Sequence, residues 1–421
     1  MSASRSRVNH QRSRILHAIL AACLLAPAAC SSPQRLPAVP DDRADRAIVL
    51  NTPALRTWDD TLSPAFLEEL FRIGKVEFTN LAAEGRAHDI PPAHYLAISG
   101  GGAEGAYGAG ILCGWTDAGT RPEFKIVTGI STGALTAPFA FLGPAYDDRL
   151  RQVYTSVTTE EIARKRGILA AIYNDALMDT VPLRKLLAQT VDEPMMRDIA
   201  TEYAKGRILL VATTNLDANR GVIWNIGAIA ATARPEALDL IHNILIASAA
   251  IPAAFPPVMF DVEVDGTKYQ EMHVDGGAKA QVFLYPPTLH LDEAVAAEGF
   301  QRERVAYIIR NARLDPKWVD VRRKTLPIAG RAIDSLIQTQ GVGDLYRIYI
   351  TSQRDGVDFN LAFIPATFNE QAKEAFDPVY MTKLFDVGYA QAIAAGGYPW
   401  HKSPPGLDQR HSINTTPPET K

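Results

Sequence analysis

A chain of 421 residues that is 47% hydrophobic and 21% charged can bury a large core as one or two domains, with the composition of an ordinary globular protein. Its formal net charge is −4 and its basic residues gather into no stripe, which excludes a nucleic-acid partner.

The N-terminal segment stands apart. Arg5, Arg7, Arg12 and Arg14 precede the apolar run ILHAILAACLLAPAAC without one acidic residue, the pattern of a secretory signal over residues 1–30. The run falls short of the ~20 apolar residues that span a bilayer and contains His17 and Pro27, which argues against a membrane-spanning helix. It resembles a bacterial lipoprotein signal, in which a small-residue motif precedes a cysteine that becomes the lipidated first residue. Leu20-Ala21-Ala22-Cys23 has the usual letters, whereas Cys30 follows a fuller apolar stretch and precedes polar Ser31-Ser32, and Cys30 is the favoured site. The resemblance implies an exported protein held by lipid on a membrane face of the bacterial cell envelope, with plain cleavage and periplasmic release as the alternative. Only Cys113 then stays unmodified, so no intramolecular disulfide forms; Cys113 is expected to be a small buried apolar residue.

Residues 31–55, rich in Pro, Asp and Arg, read as a tether, and residues 56–400 as the folded body. SPAFLEELFRIGKVEFTNLAAEGR has helical apolar spacing, with Ser63-Pro64 as its cap and first turn. From Tyr95 the pattern becomes strand (YLAIS), glycine loop, helix, strand (FKIVTGIS), helix, which predicts parallel pairing in an α/β sheet covered by helices on both faces. RILLVATTNL, VIWNIG, VMFDVEV, YQEMHVDGG and VAYIIRNA are further candidate strands. Helices are expected over 182–191, 235–250, about 332–353 and 380–395, and a disordered tail over 401–421.

Two motifs in this unit carry chemistry. Gly100, Gly102 and Gly105 have the G-x-G-x-x-G spacing of a loop that holds an anion at a helix N-terminus, whether a pyrophosphate or a transient oxyanion. The next strand runs into Gly129-Ile130-Ser131-Thr132-Gly133 and then a helix, the strand-turn-helix setting of a nucleophile elbow. A dinucleotide site wants a carboxylate at that strand's end, and the serine motif stands there instead. Adjacent parallel strands bring the two loops together, so Gly101 and Gly102, with the amide of Thr132, are candidate donors to an oxyanion at Ser131.

A serine hydroxyl needs a base. The late histidines, His242, His273, His290, His401 and His411, have no site-like context. Asp275 ends a candidate strand and is followed by Gly276-Gly277, which let another backbone approach; a plain hairpin turn is the bland alternative. No His/Cys/carboxylate cluster has zinc spacing and no loop resembles an EF-hand, so no metal or other cofactor is expected.

The ordered trio of glycine loop, G-x-S-x-G and D-G-G, with IASAAIPAAFPPV between the last two, resembles the patatin-like phospholipases over about Tyr95 to Ala312. The resemblance implies a three-layer α/β fold with a mostly parallel sheet, and hydrolysis of lipid acyl esters by a Ser-Asp dyad. By position, Ser131 is the nucleophile, Asp275 the base, and Gly100, Gly101 and Gly102 the oxyanion loop. The family usually has Arg or Lys where this chain has Glu104, which brings no cation to the oxyanion. A triad esterase using a late histidine and a non-catalytic phosphate- or nucleotide-binding lipoprotein are the alternatives. The expected partners are a lipid or ester substrate and a membrane surface; the sequence names no protein partner.

Overall fold

The strand–helix alternation that begins at Tyr95 builds a nine-stranded sheet in a computed structural model that describes residues 35–86, 90–165, 176–293 and 302–407. The strands are β1 (Arg56–Trp58), β2 (Ala93–Ile98), β3 (Ile126–Ile130), β6 (Ile208–Asn215), β7 (Arg220–Asn225), β8 (Val258–Val264), β9 (Thr267–Asp275), β10 (Arg304–Arg310) and β11 (Val357–Phe363), with β4 (Arg164–Lys165) and β5 (Met178–Asp179) forming a separate pair. Their order is β1-β7-β6-β3-β2-β10-β11, and β9 pairs with both β6 and β8. Strands β6, β3, β2, β10 and β11 run parallel; β1, β7, β8 and β9 pair antiparallel.

One register detail positions everything that follows. On β6, residues Ile208 to Ala212 pair with β3, and the next three, Thr213 to Asn215, pair with β9. Because β7 occupies the opposite edge of β6, β3 and β9 must share a single edge, one ending where the other arrives. The end of β3 at Ile130 is thereby brought to the end of β9 at Asp275.

The main helices are α1 (Pro64–Ala83), α2 (Gly105–Asp117), α3 (Thr132–Leu142), α4 (Asp147–Ser156), α5 (Val181–Thr190), α6 (Glu193–Ala204), α7 (Ala237–Ser248), α8 (Thr325–Arg354) and α9 (Pro378–Ala394). Side chains alternate across the strands. Leu96, Ile98 and Ile309 face a core with Leu112 of α2, Phe139 of α3 and Phe385 of α9, while Tyr95, Ala97 and Ile308 face Leu345 and Ile348 of α8. The expected three-layer α/β arrangement is what forms. Helix α1 begins as its sequence predicts, with the Ser63 hydroxyl accepting the Phe66 N–H at 3.3 Å and Pro64 in its first turn.

Two expectations are corrected. The tether over 31–55 gives way, from Arg35 on, to chain packed on the body. Ala44, Ala47, Val49 and Leu55 are buried, and the Ile48 backbone bridges Glu263. Three of the charges that suggested a solvated segment are paired with the body: Arg35 with Asp217, Asp45 with Arg220, Arg46 with Asp265. The disordered tail expected from residue 401 does not begin there. His401 exchanges two backbone hydrogen bonds with Leu361, each 2.8 Å, and the Tyr346 hydroxyl holds the Pro405 carbonyl at 2.7 Å. The remainder of the expected tail, 408–421, and the signal segment with Cys23 and Cys30 lie outside the described residues. Strand β11 was hidden by Asp358 and Asn360 within its apolar run; Asn360 is buried and takes the Tyr398 hydroxyl at 2.8 Å.

Candidate active site

Ser131 lies in the turn between β3 and α3, with φ 56° and ψ −126°. A non-glycine residue held there is strained, and the surroundings enforce it. The Ser131 N–H donates to the Ser248 hydroxyl at 3.0 Å, and that hydroxyl donates to the Ala212 carbonyl at 2.7 Å, tying the elbow to α7 and β6. The turn also needs its flanking glycines: a Cβ on Gly129 would lie 2.4 Å from the Gly133 carbonyl oxygen, and one on Gly133 2.2 Å from that of Ile98. At the start of α3 the Tyr154 hydroxyl meets the Thr132 and Thr136 hydroxyls at 2.7 and 2.8 Å.

Asp275 arrives from β9, almost fully buried. Its carboxylate accepts the Gly277 N–H at 2.7 Å and hydrogen-bonds the Ser131 hydroxyl. The strand end is fixed by the Asp275 N–H to the Ala250 carbonyl at 2.9 Å and the Thr214 hydroxyl to the Asp275 carbonyl at 2.9 Å. Gly276 allows this closeness, since a Cβ there would come within 2.6 Å of the Ala212 carbonyl oxygen. The chain after Asp275 enters one short 3-10 turn, Gly276–Ala278, and not the two-residue turn of a hairpin. Burial pushes the Asp275 carboxyl up to about 7, against the pull of its two hydrogen bonds.

The glycine loop lies beside them at the end of β2. The Gly100 N–H is engaged by the Gln281 carbonyl at 3.0 Å, so Gly100 is not a donor; its missing side chain matters instead, a Cβ there standing 3.1 Å from that of Ser131. The N–H groups of Gly101 and Gly102 precede the first hydrogen-bonded turn of the loop and carry no backbone partner among the described residues, as does that of Thr132 at the start of α3. Gly101 must be glycine, because a Cβ would sit 2.2 Å from the Asn311 carbonyl oxygen. Asn311 locks the loop in turn: its amide donates to the Ser99 carbonyl and its side-chain oxygen accepts the Gly108 N–H, at 2.9 and 3.0 Å. Gly105 admits Thr132, whose hydroxyl would be 2.2 Å from a Cβ.

Where a cation was to be expected, Glu104 is a carboxyl raised by burial, with the Tyr380 hydroxyl bonded to it and the Arg310 and Lys317 charges opposing the shift. Arg310, at the end of β10, is itself buried. Cys113 is fully enclosed in α2, its thiol pushed up to about 12 by burial, as its apolar setting predicts.

The described late histidines have other partners. His273 is buried with one ring nitrogen at the Thr213 hydroxyl, 2.8 Å, and the other at Glu271, 3.1 Å. His242 meets the Val191 carbonyl at 2.7 Å, His290 faces Glu293, and His401 packs in a tilted contact against the Phe363 ring. Sequence reasoning missed Ser248, Gln281 and Asn311, which act through contacts distant in the chain and have no motif.

An apolar cleft of about 60 Å³ opens beside Ser131 between Thr132, Leu135, Tyr154, Leu183, Phe255 and Met381. The arrangement can attack a carbonyl at the mouth of a greasy slot, take up the hydroxyl proton and hold the oxygen that becomes charged.

Residues 96–286, which contain the glycine loop, the serine elbow and the Asp-Gly-Gly turn, match the patatin-like phospholipase family model. No curated protein sequence matches the chain. Among solved structures it is similar to VipD from Legionella pneumophila at 12% identity, covering 73% of this chain and 67% of that one with a TM-score of 0.40. It is also similar to human GIVD cytosolic phospholipase A2, at 10% identity, 67% and 51% coverage and a TM-score of 0.29. For the type III effector protein ExoU the values are 12%, 74% and 54%, and 0.20, so the chain spans about half the length of these last two.

Proposed function

We propose that the patatin-like phospholipase domain over residues 96–286 is a serine acyl hydrolase acting on lipid esters through Ser131 and Asp275. The observation that carries this is a buried carboxylate, raised to about 7, hydrogen-bonded to the hydroxyl of a strained elbow serine. An aspartate in water is too weak a base for a hydroxyl; burial strengthens it into the working range.

In the first half-reaction the Ser131 oxygen attacks the acyl carbonyl carbon while its proton passes to Asp275. The tetrahedral oxyanion is received by the N–H groups of Gly101 and Gly102, with that of Thr132 completing the set. Collapse breaks the ester C–O bond, and the departing alkoxide takes the proton from Asp275. Water then attacks the acyl-enzyme, loses its proton to Asp275, and the released Ser131 recovers one. The cleft lined by Leu135, Leu183 and Met381 receives apolar acyl chain. The family description supports a phospholipase in general; phospholipase A or lysophospholipase activity is the finer reading proposed here.

The test is covalent labelling with a fluorophosphonate together with hydrolysis of a defined lipid panel. Labelling that disappears in Ser131→Ala and hydrolysis that disappears in Asp275→Asn support the dyad. Hydrolysis lost on replacing His290, His401 or His411 by Ala would instead support the triad.

The location proposed with this function is a membrane face of the bacterial envelope, through lipid on Cys30. Its support is the sequence pattern of residues 1–32. Mass spectrometry of the mature N-terminus decides it: acyl groups on Cys30 are expected, and an unmodified N-terminus downstream of Cys30 would mean release.

A further inference from the structure

A second apolar cavity, of about 170 Å³, lies far from the serine, between α1 and the sheet. Its floor is Tyr95, Ile126, Ile208 and Leu210, at or near the amino ends of β2, β3 and β6. Ser131 follows the opposite end of β3, about 16 Å away along a five-residue strand. The roof is one face of α1, where Phe66, Leu70, Phe71 and Phe78 surround Gly74. That glycine is unusual. It sits mid-helix, where glycine is less favourable than alanine, yet a Cβ there would meet nothing within 4 Å. Neither backbone conformation nor close packing requires it, and its effect is to leave the space open.

The charges around this space are one-sided. Lys75, Lys125, Arg302 and Arg304 are among the lining residues, and none of the lining residues is acidic. Just outside the lining, Glu77 alone serves two of these cations, accepting from Lys125 and Arg302 at 2.7 Å each. Arg304 donates to the Asp355 carbonyl at 2.9 Å, and the buried Nε atoms of both Arg302 and Arg304 have no partner among the described residues. Burial pulls the Lys125 ammonium below its ordinary value in spite of Glu77, so a further negative charge would be welcome there. Buried donors and a cation-rich edge beside an apolar space fit an anionic head on a hydrocarbon tail.

We propose that this cavity binds a long-chain carboxylate, its tail between Gly74 of α1 and the sheet and its head among Lys125, Arg302 and Arg304. The site is separate from the catalytic cleft. That the natural occupant is the carboxylate released by the enzyme itself rests on the proposed hydrolase function; the binding does not.

The experiment is calorimetric titration of the full chain carrying Ser131→Ala with dodecanoate and, in parallel, with dodecanol. Saturable binding of dodecanoate is expected. Adding Gly74→Leu, which fills the cavity, is expected to weaken it at least about tenfold, equivalent to about 1.4 kcal/mol, whereas Gly74→Ala keeps it. Lys125→Gln should weaken dodecanoate more than dodecanol. A Gly74→Leu protein with an unchanged melting temperature and unchanged dodecanoate affinity overturns the proposal, as does an absence of saturable binding. So does binding abolished by a fluorophosphonate on Ser131 of the otherwise unaltered chain, which would place the carboxylate in the catalytic cleft. If the chain proves to hydrolyse no ester, the titration with the Gly74 variants still decides the cavity.

Discussion

Two acidic residues on one strand have opposite fates. Glu271 and Asp275 lie four residues apart on β9, and both are almost fully buried. Burial alone would raise both. At Glu271 the Arg56 guanidinium, bonded to the carboxylate at 2.9 Å, and His273 override it and hold the group well below the usual carboxylate range. At Asp275 the only side-chain hydrogen-bond partners among the described residues are the Ser131 hydroxyl and the Gly277 N–H, and the group rises to about 7. The difference teaches that partners, not burial, decide whether a buried acid is structural or reactive. Glu271 is neutralised in place and joins β9 to β1, with the Arg56 guanidinium against the Trp58 and Trp224 rings. Asp275 is left with a charge it holds reluctantly and can exchange for a proton.

The sharpest way to break this contrast is Asp275→Asn, which keeps shape and hydrogen bonding but cannot take the proton. Turnover should fall by about 10²–10⁴-fold, measured as kcat on a lipid or short-chain ester. The same variant tests the burial argument through stability. An aspartate whose folded pKa exceeds its unfolded value costs stability as pH rises from about 4 towards 7, because the unfolded chain gives up its proton first. Asp275→Asn should therefore melt higher than the parent at pH 8, with the gain shrinking towards pH 4. A gain that grew on acidification would refute the raised pKa.

Glu271→Gln should leave the catalytic pH profile in place and instead lower stability by about 3–5 kcal/mol, the cost of stranding a buried Arg56. Urea unfolding measures it, and a change under 1 kcal/mol would show the pair to be dispensable. Next in size is the pH dependence of the parent. Asp275 must be ionised to accept the proton, so kcat/KM should be level above about pH 7 and fall about tenfold per unit below it; a midpoint near 4 would mean an ordinary, hydrated carboxylate. The smallest effect is expected at Ser248→Ala, which removes the hydroxyl that receives the Ser131 N–H. About 1 kcal/mol of stability should go, with a severalfold drop in kcat as the elbow relaxes.

What was legible in the sequence was local. A strand running into Gly129-Ile-Ser-Thr-Gly133 and then a helix reads as an elbow from its letters alone, and Gly276-Gly277 after Asp275 announces a close backbone approach before the partner is known. The pairing of Ser131 with Asp275, by contrast, could be expected from the family's pattern but not computed, since it depends on β3 and β9 sharing one edge of β6. Gly100 shows the limit within a motif: its N–H is consumed by the Gln281 carbonyl, 181 residues downstream, and no spacing rule foretells that. The segment 35–55 shows it for composition. Pro, Asp and Arg looked like a solvated tether because their partners, Asp217, Arg220 and Asp265, are scattered over a distant stretch of chain.

That packed segment sets the reach of the molecule. Arg35 is clamped to Asp217, just past the carboxyl end of β6, on the end of the sheet where Ser131 and Asp275 lie. Cys30 stands five residues upstream, so a lipid proposed for it would hang on a leash of at most about 18 Å. Leu36 and Leu216, each more than 40% exposed, flank the clamp. If Cys30 carries lipid as proposed, an enzyme leashed so closely, and by the end of the sheet that holds Ser131 and Asp275, would not roam the envelope: it would graze the leaflet that carries it, meeting substrate by lateral diffusion in two dimensions, with a neighbouring membrane of identical composition beyond its grasp.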